Sequence, residues 1–128
     1  MPGQIVHLEI SADDTAQARE FWGSLFGWQF ESYPGPNEYH MTRLGETQGA
    51  AISNAEPGKK GTRPYFDVDD INAGAARVNE LGGSADQPMP VPNMGWFVTC
   101  TDPHGNEFGL WQTDPSAQLP EGWEPPSS

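Results

Sequence analysis

Basic residues are scarce in this chain of 128 residues: six Lys and Arg stand against eighteen Asp and Glu, giving a formal net charge of −12. Such a chain repels phosphate backbones and anionic membrane surfaces, so neither nucleic acid nor membrane is expected as a partner. Cysteine is nearly absent. The lone Cys100 cannot close an intramolecular disulfide, and Val98 and Thr99 before it suggest a strand interior. A packed small residue in a reducing, cytoplasmic setting is expected, rather than a nucleophile. Long apolar runs are missing too: nothing approaches the roughly 18 residues of a membrane span, and no basic region followed by an apolar stretch marks a leader. The acidity is spread without blocks and reads as a solvated surface.

What is present is turn chemistry and short periodic segments. Fifteen glycines and thirteen prolines break a chain long enough for one compact domain. Ile5 to Ser11 alternates, with Val6, Leu8 and Ile10 on one face and His7 and Glu9 on the other, as in a half-buried strand. Ser11-Ala12-Asp13-Asp14 offers caps, and Thr15 to Leu25 places Ala18, Phe21, Trp22 and Leu25 at helical spacing before Gly27. That spacing predicts a helix with Phe21 and Trp22 in the core. Short strands are expected over Trp28 to Tyr33, Tyr39 to Leu44 and Gly49 to Ser53, with Pro34-Gly35-Pro36-Asn37 and Gly45-Glu46 as turns.

After a polar linker over Asn54 to Thr62, the order begins again. Arg63 to Asp69 alternates, with Phe66 and Val68 on one face and Arg63, Tyr65 and Asp67 on the other. Asp69-Asp70 caps a helix from about Ile71 to Leu81, stopped at Gly82-Gly83. Ser84 to Val91, whose prolines mark an edge or partial loop, then Gly95 to Thr101 and Glu107 to Thr113 are further strands. The last follows an Asp102-Pro103-His104-Gly105-Asn106 turn, with Phe108 and Leu110 on one face and Glu107, Gly109 and Trp111 on the other. His104 reads as a solvent-exposed turn residue.

Element order, caps and stop signals recur together after roughly 57 residues, the mark of an internal repeat. The fold class expected is α+β: two βαβββ modules, about 4–54 and 62–113, in one domain over 1–113, followed by a Pro-rich tail over 114–128. Alternating strands leave one face of each sheet less apolar. Set edge to edge, two such sheets would make a curved half-barrel of mixed strands with helices outside, its concave side carrying residues of the parity of His7 and Glu9.

On these motifs, and on Val6-His7-Leu8-Glu9-Ile10, Leu25-Phe26-Gly27-Trp28 and Phe66-Asp67-Val68-Asp69-Asp70-Ile71 in particular, the chain resembles the glyoxalase/bleomycin-resistance/extradiol-dioxygenase superfamily, the vicinal oxygen chelate proteins. The resemblance covers about residues 4 to 113. It implies the fold strongly and an activity weakly, because the superfamily includes lyases, isomerases, dioxygenases, thiol transferases and proteins that only sequester drugs. It also implies a homodimer.

In metal-using members, side chains from the two modules hold a divalent ion that chelates neighbouring substrate oxygens. Carried over by motif, the first ligand falls on His7, which matches; the second falls on Arg63 and the third on Gly109, which cannot ligate. The resemblance thus implies no metal, and no other cofactor, by the usual route, since a catalytic ion needs about three protein ligands. A rearranged site for Fe, Mn, Ni or Zn stays open, drawing on Glu9 and Glu107, which share the parity of His7, and on His40, whose register is unsettled. So does a plain ion pair between Arg63 and a carboxylate.

The reading preferred is a protein that binds, and in an enzyme transforms, a small organic molecule. Arg63, Glu9, Tyr65, Trp111 and Trp96 are its candidate ligand-binding residues, with His7 as candidate base and Glu107 as a second catalytic candidate. The alternatives are a metal-dependent lyase or dioxygenase with rearranged ligands, and a non-enzymatic dimeric interaction module.

Overall fold

The computed structural model describes residues 3–33, 38–54 and 61–118. The predicted turn at Pro34-Gly35-Pro36-Asn37, most of the linker and the tail from residue 119 on lie outside them. Contacts divide the chain into two compact units, Gln4–Phe66 and the chain from Asp67 onward with its first three residues.

In the first unit β1 (Ile5–Ala12) leads into α1 (Thr15–Phe26), followed by β2 (Glu31–Ser32), β3 (Tyr39–Arg43), β4 (Gly49–Asn54) and β5 (Thr62–Asp67). Asp14 caps α1 through its carboxylate, which accepts from the Gln17 amide at 3.0 Å. Gly27 ends it in the left-handed conformation, φ 75°, with its N–H on Gly23 O at 2.7 Å. β1 lies parallel to β4 and antiparallel to β5, while β3 joins β4 and β2 by antiparallel pairing. Of the predicted strand over Trp28 to Tyr33, only Glu31–Ser32 pairs.

Register assigns the faces of this sheet. Ile10, Ile52 and His40 are mutually paired neighbours, as are Leu8, Ala50 and Thr42, so these share one face. Ile10, Ala50 and Ile52 are 7%, 1% and 1% exposed, and the core lies there. His7, Glu9, Tyr39, Arg63 and Tyr65 belong to the other face by the same pairings.

The helix departs from expectation. Thr15 is the buried residue of α1, whereas Phe21, Leu25 and Phe26 are 60%, 57% and 58% exposed. Phe21 is therefore not core. Spacing predicts an apolar stripe correctly, but it does not say what covers the stripe.

In the second unit Asp70 caps α2 (Ile71–Glu80), accepting from the Asn72 and Ala73 amides at 3.0 and 3.1 Å. β6 (Ser84–Ala85) and β7 (Met89–Val91) both pair with β8 (Gly95–Thr101), which pairs antiparallel with β9 (Glu107–Thr113). The proline-rich stretch thus makes two short strands with a break. Trp96, Val98 and Cys100 face the same way as Gln112, Leu110 and Phe108. Val98, Cys100 and Leu110 are buried with Ile71 and Ala75 of α2, and a Cβ on Gly74 would stand 3.0 Å from Leu110 Cδ1. A side chain there would press on the end of Leu110, so the glycine eases the close approach of helix and strand. Cys100 is packed as expected, and burial pushes its thiol up to about 11.

The turn before β9 is organised by Asp102. Its carboxylate accepts from the His104 and Asn106 amides and from Asn106 Nδ2, each at 2.9 Å. These bonds, that from the Asn106 side chain foremost, hold its pKa below the ordinary range. Gly105 has φ 83°. Past β9, the Asn93 amide donates to Ala117 O at 2.9 Å and Ala117 is 2% exposed, so the first residues of the expected tail pack.

Candidate functional site

Two cross-strand pairs found the site. His7 lies opposite Tyr65 and Glu9 opposite Arg63 on β1 and β5, so four side chains chosen from sequence stand side by side on one face. Beyond β1, β4 presents Gly49 opposite His7. A Cβ at Gly49 would be 3.2 Å from Thr42 O, a tight approach to backbone, and 3.7 Å from His7 Nδ1, an ordinary contact.

Glu9 is the centre of the group. Arg63 Nη1 donates to Glu9 Oε1 at 3.3 Å, and the hydroxyls of Tyr39 and Tyr65 each lie 3.5 Å from Glu9 Oε2. Tyr39 also meets His7 Nε2 at 2.8 Å, which links the imidazole to the carboxylate through one phenol. The His7 ring sits edge-on to Tyr65, with centroids 5.5 Å apart. Two protons arrangements satisfy the chain: the phenol donates to His7 Nε2, or the Nε2–H donates to the phenol while that phenol donates to Glu9.

The electrostatics follow from partial burial around a carboxylate. Burial lowers the His7 pKa below its ordinary value, so the imidazole is neutral at pH 7 and able to accept a proton. Burial, then the nearby charge of Glu9, raises the Tyr39 pKa. The same two causes push Tyr65 up to about 12, with Arg63 acting in opposition. Both phenols are hydrogen-bond donors at neutral pH.

The remaining sequence candidates belong to the second unit. Glu107, Gly109 and Trp111 share one face of β9, opposite Thr101, Thr99 and Phe97. Trp111 Nε1 donates to Thr113 Oγ1 at 3.0 Å. Trp96 pairs with Gln112 and lies on the opposite face of the sheet, next to the start of α2, where the Ile71 amide donates to Gln112 Oε1 at 2.8 Å. Its indole N–H is held by Asp114 Oδ2 at 3.1 Å. Trp96 and Trp111, both ligand-binding candidates by sequence, therefore stand on opposite faces of their sheet and are not brought together. The register left open for His40 is settled by its pairing: it shares the core face with Ile10 and Ile52, bonds Ser32 Oγ through Nδ1 at 2.7 Å and lies 3.6 Å from Glu38. It is turned away from His7.

Sequence reasoning left Tyr39 as one strand aromatic among several. Its phenol in fact joins His7 to Glu9. The signal available was parity, but the turn before Tyr39 gave no fixed register from which to count.

Among the described residues no group of three His, Cys, Asp or Glu side chains comes together as a metal site would require. At the candidate site, the donors His7 and Glu9 share their space with the Arg63 guanidinium, which stands on the carboxylate where a cation would. This donor set does not fit a divalent ion. Two concavities are described elsewhere. One of about 540 Å3 is lined by Gln17, Glu20, Phe21, Ser24 and Leu25, and one of about 360 Å3 lies around Trp96 and Gln112.

A family model described as a glyoxalase-like domain matches residues 7–111. The chain belongs to the glyoxalase-like family. The match takes in nearly all of both modules, and with it the vicinal oxygen chelate resemblance is established. The glyoxalase-like chain is 32% identical over 116 residues to CFP32 of Mycobacterium bovis, whose name assigns it provisionally to the glyoxylases. It is 32% identical over 118 residues to a glyoxylase-like domain-containing protein of Didymella fabae, covering 84% of this chain and 92% of that one. It is 27% identical over 130 residues to the anthracycline biosynthesis protein DnrV of Streptomyces peucetius. The match takes in 84% of this chain but 44% of CFP32, and 87% against 47% for DnrV, so it spans about half the length of those relatives.

Solved structures show the fold. Streptomyces coelicolor methylmalonyl-CoA epimerase in complex with 2-nitronate-propionyl-CoA aligns with a TM-score of 0.73 at 15% identity, over 93% of this chain and all of that one (100%). The epimerase of Mycobacterium tuberculosis aligns at 0.69 and 15%, over 88% and 89% of the two chains.

Proposed function

We propose that this glyoxalase-like protein binds a small organic molecule bearing an anionic or enolic oxygen, held by protein groups rather than by a chelated divalent metal. The observation that carries the reading is the Arg63 guanidinium on Glu9, 3.3 Å away, in a group that also contains a neutral His7 bonded to Tyr39. A guanidinium presents forked donors to an oxyanion and has no proton to lose at neutral pH. Supporting it, Gly109 and Arg63 occupy the positions where the family's other ligands are expected. Solved relatives of this fold carry CoA-linked ligands by their titles, which is consistent with a small-molecule role.

In an enzyme of this kind His7 would take a proton from carbon next to a carbonyl, the electron pair would move onto the carbonyl oxygen, and Arg63 would hold that enolate oxygen. Return of the proton from the imidazolium balances the step. Without turnover the same groups would sequester the ligand, as in bleomycin-resistance proteins. A homodimer in a reducing, cytoplasmic compartment belongs to this reading. The test is a ligand screen of the untagged protein, paired with elemental analysis after incubation with Mn, Fe, Ni and Zn and dialysis. For a ligand so found, Arg63→Ala should weaken binding by about 1.5–3 kcal/mol, the range for a charge-assisted hydrogen bond. Unchanged affinity, or near-stoichiometric metal lost with His7→Ala, would overturn the reading in favour of a rearranged metal site.

A further inference from the structure

His7 has two ring nitrogens, and the protein engages one of them. Nε2 stands 2.8 Å from the Tyr39 hydroxyl. Nδ1 lies on the side of Gly49, where a Cβ would be 3.7 Å away, and among the described residues it has no hydrogen-bond partner. A half-buried imidazole with one nitrogen tied and the other open meets a ligand through the open one. What Nδ1 can do there depends on where the single proton of the neutral ring sits. On Nε2 it leaves Nδ1 a lone pair and makes it a base; on Nδ1 it makes that atom a donor.

We propose that Tyr39 is a positioning residue that keeps this proton on His7 Nε2, so that Nδ1 is the nitrogen that takes a proton from the ligand. Resting on the role given above to His7, this assignment names the atom that performs it and the residue that sets it. The Tyr39 phenol has one proton, which can serve Nε2 or Glu9 but not both. The Glu9 carboxylate only accepts, and its Oε2 has the Tyr39 and Tyr65 hydroxyls at 3.5 Å each. A hydrogen bond to a charged acceptor is roughly twice as strong as a neutral one, so the Tyr39 proton turns to Glu9. Turned to Nε2 instead, it would leave phenol lone pairs facing a carboxylate. The 3.5 Å contact is long for such a bond, and bonds of this kind tighten when a site is loaded. The Tyr39 oxygen then accepts from Nε2–H at 2.8 Å. Imidazole, phenol and carboxylate form one run in which each bond polarises the next.

The same run serves once the proton has moved. When Nδ1 takes it from carbon, the C–H electron pair goes onto the carbonyl oxygen and the ring becomes an imidazolium. Its Nε2–H still points at the phenol, which places the new charge one phenol away from the Glu9 carboxylate. Tyr39 keeps its own proton throughout, because burial, and then the charge of Glu9, raise its pKa. Return of the proton from Nδ1 to the ligand restores the neutral ring and closes the balance.

Nitrogen-15 spectra of the labelled full chain, free of ligand at pH 8, read the tautomer directly, because a protonated ring nitrogen and a bare one resonate far apart. The chain has three histidines, and His7→Gln assigns the signal. Wild-type His7 should carry its proton on Nε2. In Glu9→Gln, the Arg63 guanidinium that donates to Oε1 should hold the amide oxygen in that place and leave the amide NH2 facing the phenol. Tyr39 then gives its proton to Nε2, and His7 should invert to the Nδ1–H form, a change that a merely structural Tyr39 would not produce. Tyr39→Phe should mix the two tautomers and draw the two nitrogen shifts together. A wild type with its proton on Nδ1 overturns the inference without any variant having to fold, and so does a tautomer that neither Glu9→Gln nor Tyr39→Phe moves. These spectra use no ligand, so the inference fails separately from the reading of Arg63, which stands or falls on ligand affinity.

Discussion

Exchanging the charges of Glu9 and Arg63 for uncharged groups of similar size tests whether the guanidinium acts as the fixed cation of the site. At the observed 3.3 Å, an effective dielectric constant near 20 gives a gross attraction of about 5 kcal/mol. The side chains retain 20% and 23% exposure, so solvent screens the attraction and the desolvation of both groups offsets more of it. A net coupling of about 1–2 kcal/mol remains. Arg63→Met should cost about 2–3 kcal/mol, because it removes the guanidinium from a largely buried carboxylate, and Glu9→Gln about 1–2 kcal/mol.

Both residues touch other groups as well, so the singles alone do not isolate the pair. The double variant does: it should be more stable than the sum of the singles by the coupling energy. Urea unfolding at pH 7 measures this, provided the m-value is unchanged across the four proteins. A coupling within about 0.3 kcal/mol of zero would refute the electrostatic account of the pair.

Other consequences are direct. Because burial lowers the His7 pKa, the unfolded chain takes up this proton first as pH falls through about 6.5. Stability should drop below that pH until the folded imidazole also titrates, and His7→Gln should flatten the drop in urea titrations between pH 7 and pH 5; an unchanged profile would contradict the buried neutral imidazole. Gly95→Ala should destabilise by at least about 3 kcal/mol, since the new Cβ would strike Gln112 O and come within 2.6 Å of Trp111 Cζ2. A neutral result by thermal unfolding would mean that β8 and β9 yield easily. Ile52→Ala, at 1% exposed, should cost about 2–5 kcal/mol in the same assay, and a smaller loss would show the core closing over the cavity.

The fold was readable because each module repeats its punctuation. Asp14 and Asp70 cap helices, Gly27 and Gly82 take positive φ, and Gly105 closes the turn held by Asp102. These signals are local, and local chemistry decides them. Phe21 was misplaced because an amphipathic stripe reports only that apolar residues share a side; burial depends on what else packs there. Trp28 to Tyr33 has the residue types of a strand, yet two residues of it pair, because strand length is set by the available partner.

The site was readable as far as strand parity reached. His7, Glu9, Arg63 and Tyr65 lie on two strands whose alternation is clean, and their cross-strand pairing followed. Tyr39 and His40 lie on a strand with no fixed starting point in sequence, where an error of one residue exchanges the faces. His40 was thereby left open as a metal ligand when it belongs to the core, and Tyr39 was undervalued.

The proposed exchange of a divalent ion for Arg63 has consequences that separate the two chemistries. A metal offers open coordination positions and two positive charges, and a chelator can remove it. A guanidinium offers one charge and directed N–H donors that nothing in solution removes. One charge stabilises an enolate less than a chelated ion does, so more of the work is left to the base, and His7 is available for it in its neutral form at pH 7. Ligand binding should therefore persist in EDTA, and any turnover should fall as pH drops through the His7 titration. Affinity lost in EDTA and restored by one divalent ion would show that a metal, not Arg63, holds the ligand oxygen.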